Sequence, residues 1–380
     1  MLRALLLGTL TTLALPWLLL AAWLRSRSSA LQRKVLVVQA AKIGDVVCMT
    51  PLFRSLHDHG DHVTVLCLRR TGEVLTHHPC VDAMIHIDDP MFRGLSGAFR
   101  LWREFFCGRF DVSMVLFPAS SLSMMGLWSA SPVRIYTRGR MMSLMERWFR
   151  LFYTHRIHYR RHTRTFDHYM FLAGLIGVKP VAYRHEIFLT DAEEQFAFSW
   201  IQDHGVRADQ RFAAISLRAG NALKEWPIER FVAVARHIID RHSLHVVFLD
   251  LDQRVTDHAL ALLADPSHAS GGCRLSLRHL AAIIKRASLF VSVDTGPLYM
   301  AHAFGVPLVD IIGPVDPEEQ PPPAGERVEL VLPPPPCEPS SFVADTLRAP
   351  TAAQQAALEG TTVGMVTDAI DAVLHSSAAS

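Results

Sequence analysis

Three short segments carry residue types that could do chemistry. The first, Ala41-Lys42-Ile43-Gly44-Asp45-Val46, follows an apolar run from Lys34 to Gln39. Gly44 suits a sharp turn at a strand end. Asp45 then stands at the start of a helix. There it either caps free backbone N–H groups or is held as a general base at the carboxyl end of the first strand. The second segment, Ser292-Val293-Asp294-Thr295-Gly296-Pro297, joins an apolar run to a helix. Pro297 fits a first helical turn, and Gly296 permits close backbone approach. The exposed N–H groups and the helix dipole there suit an anion such as a diphosphate, although the same residues also make an ordinary cap.

The third segment is Lys224-Glu225-Trp226-Pro227. Lys224 could reach the same diphosphate as a point charge, or lie solvated on the surface. Arg218 and Asn221 share its loop. Asp250-Leu251-Asp252 spells a D-x-D, a pattern that also arises by chance in so short a stretch. An acid at this strand end could instead hold ribose hydroxyls, as in dinucleotide folds. Between Arg138 and Arg164 stand eight arginines and a single acid, Glu146. This stretch is read as a site for an anionic partner, either acceptor carboxylates and phosphates or anionic lipid, with a solvated basic face as the plain alternative. His158 and His162 have the spacing of a helical metal pair but no neighbouring third ligand, so no metal is expected.

These residues need elements to hold them. Strand-like runs occur at Lys34 to Gln39, His62 to Leu68, Met84 to Ile87 and Asp111 to Phe117. After a break near residues 180–210 the pattern restarts at Phe212 to Leu217, His245 to Leu249, Leu289 to Val293 and Leu308 to Ile312. Helical periodicity fills the intervals. Strands alternating with helices predict two doubly wound α/β domains facing a cleft, with ligands at the carboxyl ends of the strands. A proline-rich stretch, Pro321 to Pro336, closes the second. A helix over about Ala352 to His375 is expected to pack back on the first domain.

Composition bounds the reading. The chain has 380 residues, 50% hydrophobic and 19% charged, which excludes a disordered protein. The net charge of +2 argues against a nucleic-acid binder. The basic stretch leaves the remainder net negative. The six cysteines, Cys48, Cys67, Cys80, Cys107, Cys273 and Cys337, form no C-x-x-C pair and read as free, mostly buried thiols. Residues Ala4 to Leu24 carry no charge, and 21 residues of helix span about 31 Å, one bilayer core. Arg25, Arg27, Arg33 and Lys34 follow, against Arg3 before, which predicts a single-span anchor with the body in the cytoplasm. A signal peptide would want a better cleavage site. A membrane-surface helix would want a polar face, and Thr9, Thr11 and Thr12 supply little.

The three motifs, in this order, make the chain resemble glycosyltransferase family 9, the lipopolysaccharide heptosyltransferase group. The similarity covers roughly residues 34 to 320 and is most specific from Leu277 to Pro317, with its D-T-G-P, G-V-P and G-P-x-D-P elements. The V-R-I around Arg134 agrees as well. The sequence departs from the family at Tyr299, where a His is usual, and at Glu318-Glu319-Gln320, where an aromatic residue is common. The resemblance implies a GT-B fold of two Rossmann-like domains, to which the apolar N-terminal segment adds the expected transmembrane helix. Residues 1–33 would be the anchor, 34–190 the acceptor domain, 191–345 the donor domain and 346–380 the returning helix. It implies inverting, metal-independent transfer from an ADP-heptose-like donor to lipopolysaccharide core or another lipid-linked acceptor, without a cofactor. Asp45 would be the base and Lys224 would stabilise the leaving diphosphate. Asp294, Thr295 and Gly296 would line the phosphates, with Arg218, Asn221, Asp250, Asp252 and Tyr299 completing the donor set. Acceptor contacts would come from Lys42, Gly44, Arg134, Arg138, Arg160 and Arg164. The rival from another class is a catalytically silent nucleotide-sugar-binding or scaffold protein; the presence of Asp45 and Lys224 speaks against it.

Overall fold

The computed structural model describes residues 2–27, 32–139, 142–335, 339–340 and 351–379. The chain divides into two compact units. One ends at Tyr183; the other starts at Arg184 and takes in the C-terminal segment from Thr351. Cys337 lies outside the described residues.

The first unit is built on β1 (Lys34–Val38), β2 (His62–Cys67), β3 (Ala83–His86), β4 (Val112–Val115), β5 (Val133–Arg138) and β6 (His155–His158). They form one sheet in the order β3-β2-β1-β4-β5-β6, every neighbouring pair parallel. The central strand β1 is buried from Val35 to Val38, as a strand covered on both faces must be. The second unit repeats the plan with β7 (Phe212–Ser216), β8 (His245–Asp250), β9 (Ala269–Cys273), β10 (Leu289–Val293), β11 (Leu308–Ile311) and β12 (Val328–Val331). Their order is β12-β11-β10-β7-β8-β9, again all parallel. In each sheet the first and fourth strands of the unit are neighbours, the point where successive crossovers diverge and leave a crevice.

Four strands, β5, β6, β9 and β12, are additional to the apolar runs of the sequence. Three are edge strands. The alternating exposure of β6, His155–His158, blurs the apolar signal, as edges do. In β9 the pair Gly271-Gly272 reads as a turn, yet a Cβ on Gly272 would meet the Trp200 ring at 2.7 Å. Glycine is there for that contact rather than for a bend.

The C-terminal segment forms two helices, Ala352–Gln355 and Val363–Ala379. Between them Gly360 lies so close to Pro334 that a Cβ would meet its Cγ at 2.5 Å. The long helix does not return to the first unit as expected. Val366, Ile370 and Val373 are fully buried in the core of the second, beside Val309, Ile311 and Val331. An apolar stripe goes where an open sheet face needs cover.

The N-terminal helix, Leu2–Arg25, is long and apolar enough to cross a membrane by length and composition. One side of it is packed on the first unit. Leu15 and Leu18 join a core cluster with Leu122, Leu127 and Trp128. The indole N–H of Trp128 donates to Thr11 Oγ1 at 2.9 Å. The Arg25 guanidinium donates to Ser129 O at 2.6 Å and to Phe106 O at 2.7 Å. Among the cysteines, Cys48, Cys67 and Cys80 are buried, Cys273 is half-buried and Cys107 is exposed.

Candidate functional site

In the first unit the chain leaves β1 through Ala40 to Lys42 and enters the helix Ile43–Cys48. Gly44 lies inside that helix rather than at the turn. Asp45 sits in the first helical turn, 2% exposed, and accepts the Lys42 backbone N–H on Oδ2 at 2.8 Å. It thus does cap the helix, and it does so at the crevice end of the central strand. Lys42 is exposed. Tyr169, buried on the helix Thr165–Gly174, feels the Asp45 charge. Burial foremost, and then that charge, hold its hydroxyl well above the usual tyrosine pKa. Nothing in the sequence marks Tyr169, which reads as one more aromatic of an apolar helix.

Because all six strands are parallel, one edge of the sheet collects every carboxyl end. Arg138 ends β5 at that edge, and Arg160 follows β6 there, exposed. Arg164 starts the helix Thr165–Gly174 and lies 5.9 Å from the Tyr183 ring centroid. Arg134 belongs elsewhere. It is the second residue of β5, at the opposite edge, and 9% exposed. Its guanidinium donates to Phe152 O at 2.9 Å, Ser131 O at 2.5 Å and Pro132 O at 3.3 Å. Burial pulls its pKa below the usual arginine value. Arg134 therefore fastens loops instead of meeting an acceptor. The His158/His162 spacing is not helical either. His158 ends a strand, and His162 has a left-handed backbone at φ 55°.

In the second unit Lys224 and Asp294 meet. Lys224 ends a short 3-10 turn, Ala222–Lys224, after β7, and Asp294 directly follows β10, the neighbour of β7. Lys224 Nζ donates to Asp294 Oδ2, and the Tyr299 hydroxyl donates to Oδ1 at 2.9 Å. Their side chains are largely buried, with Lys224 at 18% and Asp294 at 3% exposure. Tyr299 thus holds the aspartate from the helix Gly296–Ala303, whose entry is Thr295. Thr295 makes no side-chain cap; Pro297 has no N–H, and the Leu298 N–H is taken by the Thr295 carbonyl at 3.1 Å. Asn221 builds the lysine turn: its Oδ1 accepts from Leu223 N at 3.2 Å, and its carbonyl accepts from Lys224 N at 2.9 Å. Gly313 approaches closely; a Cβ there would lie 3.4 Å from Lys224 Cγ.

Below this pair sits Asp310, in the middle of β11 and fully buried. Neither of its carboxylate oxygens has a hydrogen-bond partner among the described residues. Burial first, and then the charge of Asp294, push its pKa well above the ordinary carboxyl value, against a smaller pull from Lys224. Both causes favour the protonated form of its carboxyl. The signal in the sequence is an aspartate inside the apolar run LVDII, which the strand assignment passed over.

The D-x-D has a structural account. Arg218 grips Asp250 with two hydrogen bonds, Nε to Oδ2 at 3.0 Å and Nη2 to Oδ1 at 2.7 Å. That bond raises the arginine's pKa. Asp252 caps the helix Gln253–Leu263, accepting from Arg254 N at 3.1 Å. Asp250 stays at the carboxyl end of β8, on the crevice side, while Asp252 is spent on the cap.

The glycosyltransferase family 9 (heptosyltransferase) model matches residues 99–347. Lipopolysaccharide core heptosyltransferase OpsX of Haemophilus influenzae is 26% identical over 226 residues, 57% of this chain and 61% of that protein. The matched part thus spans about three fifths of that relative. Among solved structures, a family 9 glycosyltransferase from Veillonella parvula superposes with a TM-score of 0.71 at 20% identity, covering 90% of this chain and 97% of that one. The E. coli ADP-heptose lipopolysaccharide heptosyltransferase II gives 0.70 at 18% identity, covering 91% and 99%. The fold is therefore that of the two-Rossmann-unit glycosyltransferases, and the chain belongs to glycosyltransferase family 9 (heptosyltransferase).

Proposed function

We propose that this protein transfers a heptose from an ADP-heptose donor to a lipopolysaccharide-core acceptor. The observation that carries the reading is the Lys224–Asp294–Tyr299 cluster beside the N-terminus of the helix Gly296–Ala303, at the crevice of the second sheet. A lysine, the positive end of a helix dipole and a close-approach glycine suit a diphosphate. The names of OpsX and of the E. coli neighbour support the sugar and the acceptor class.

In the proposed reaction the donor sits on the second unit. Asp45 takes the proton of the acceptor hydroxyl, whose oxygen attacks the anomeric carbon from the face opposite the diphosphate. The C–O bond to the diphosphate breaks and the configuration inverts. Lys224 turns from Asp294 to the departing phosphate, and the helix N–H groups share its charge. This assignment gives no step to a metal ion. Arg138, Arg160 and Arg164 offer cations for acidic groups of the acceptor. With a lipid-linked acceptor the reaction as proposed would run at the cytoplasmic face of the inner membrane.

The direct test is transfer of heptose from ADP-heptose to heptose-deficient core lipid, followed by mass spectrometry, with and without a chelator. A product of unchanged mass, with ADP-heptose still bound, would point to the silent, sugar-nucleotide-binding alternative.

A further inference from the structure

The N-terminal helix has two apolar faces, and only one is used by the protein. Gly8, Thr11, Leu15, Leu18 and Ala22 are buried at alternating spacings of three and four, one helical stripe turned to the first unit. Leu6, Leu10, Leu13, Trp17, Leu20 and Leu24 repeat the same spacing about half a turn away, each 41–74% exposed. Eight of the eighteen large hydrophobics that are exposed among the described residues lie on this one helix.

The buried stripe fixes how the other can be used. Thr11, at mid-helix, accepts the indole N–H of Trp128, itself 3% exposed in the body of the unit. Thr12 accepts from Trp148 at 3.1 Å. Arg25 ties the far end to Ser129 and Phe106. A helix crossing a bilayer would need all of Ala4 to Leu24 in the hydrocarbon and would have to take Thr11 and Thr12 from Trp128 and Trp148. A helix lying in the membrane interface keeps them and buries its second stripe in lipid.

The surroundings identify the occupant as lipid rather than protein. The helix is flanked by the exposed Phe99 and Trp148 and by half-buried rings behind them: Phe99, Trp102 and Phe106 stack at 5.3 Å intervals, with Arg25 over Phe106, and Trp148 packs edge-on to the half-buried Phe152. Around them stand exposed Arg27, Arg100, Arg103 and Arg147. The single acid of the basic stretch, Glu146, is withdrawn from the surface. It is 3% exposed, hydrogen-bonded by the Tyr136 hydroxyl at 2.5 Å, and its pKa is raised by burial. Among the described residues of 138–164 the outward charge is therefore positive. An aromatic and leucine plateau rimmed by arginine matches an anionic bilayer surface.

We propose that the first unit is held on the membrane monotopically, by the outward stripe of Leu2–Arg25 lying flat in an anionic lipid interface, and not by a transmembrane span. The inference is independent of the sugar chemistry. The test uses the full chain with vesicles of phosphatidylglycerol and phosphatidylcholine. Wild type floats with the vesicles and is released from native membranes by alkaline carbonate. A fluorophore on Leu13→Cys is quenched more by lipids brominated near the headgroup than by those brominated deep in the chain. Leu13→Glu with Trp17→Glu lowers flotation about tenfold or more, with an unchanged melting curve. Should that variant fail to fold, Arg103→Glu with Arg147→Glu serves instead, weakening binding to the anionic vesicles alone. Resistance to carbonate, or deep quenching, would overturn the proposal in favour of a span. Failure to float, together with a lipid-free dimer that Trp17→Glu dissociates, would overturn it in favour of a second copy of the chain.

Discussion

The two units share one strand order, yet the crevice ends of their sheets are furnished differently. At β1 the acid, Asp45, is held by the N–H of an exposed lysine, with arginines gathered at the same edge. At β7 and β10 the charge is already balanced: Lys224 lies on Asp294, Tyr299 supports it, and a buried Asp310 with a raised pKa sits beneath. The same topology thus carries two electrostatic arrangements. In the proposed reaction the first end supplies a carboxylate to take a proton. The second holds a cation on an internal partner, so that donor binding as proposed would be an exchange of partners, and no bare buried lysine is left in the unliganded protein.

The sharpest way to break this contrast is at Asp45. Asp45→Asn should lower kcat about a thousandfold while leaving the calorimetric affinity for ADP-heptose unchanged; a fall in donor affinity instead would move Asp45 out of the base role. Next comes Lys224→Ala. It should reduce kcat about a hundredfold, weaken ADP binding and lower the melting temperature, because it strips a buried carboxylate of its counter-ion. Equal kcat with only a raised KM would make the lysine a ground-state anchor.

Arg134→Gln should cost about 2 kcal/mol in urea unfolding and leave the acceptor KM alone, whereas Arg138→Gln should raise that KM at unchanged stability. The reverse pattern would restore Arg134 to the acceptor site. Asp310 gives a pH signature. Its folded pKa is raised, so the folded protein keeps a proton that the unfolded chain sheds above about pH 4. Its contribution is fully present below that pH and is lost as pH rises toward the folded pKa. Asp310→Asn should therefore gain on wild type by up to about 1.4 kcal/mol per pH unit through that window, read from urea melts at stepped pH. Parallel curves would show Asp310 ionised. Smallest of all, Asp252→Ala should cost about 1 kcal/mol as a lost helix cap, with kcat unaltered.

How much of this the sequence disclosed depends on what each residue answers to. The buried strands β1, β7 and β10 are legible because both faces are covered and their apolar runs are unbroken. Lys224 and Asp294 are legible through the motifs around them, although their mutual pairing is not, since it joins loops seventy residues apart. Arg134 misleads because a cationic side chain gives no sign, in sequence, that backbone carbonyls will consume it. Asp252 misleads likewise by filling a cap. The N-terminal helix was short of a polar face for a surface role. That want disappears once one of its apolar faces is seen to belong to Trp128 and Leu127 rather than to lipid. The edge strands β6, β9 and β12 and the destination of the C-terminal helix stay hidden, because only tertiary neighbours tell β9 from a glycine turn or send Ile370 to the second core.

One clasp in the second unit bears on synthesis. Trp226, two residues beyond Lys224, donates its indole N–H to Thr361 O at 3.1 Å. Arg230 reaches Leu358, Glu359 and Thr361 carbonyls from the next turn. The lysine loop is thus latched by residues that lie about 135 positions further along the chain, and the core beneath it waits for Val366, Ile370 and Val373. The first unit can fold while translation continues. The second completes its lysine loop only once the residues through Val373 have been made, so a chain cut short before them would carry a finished Asp45 and an unset Lys224.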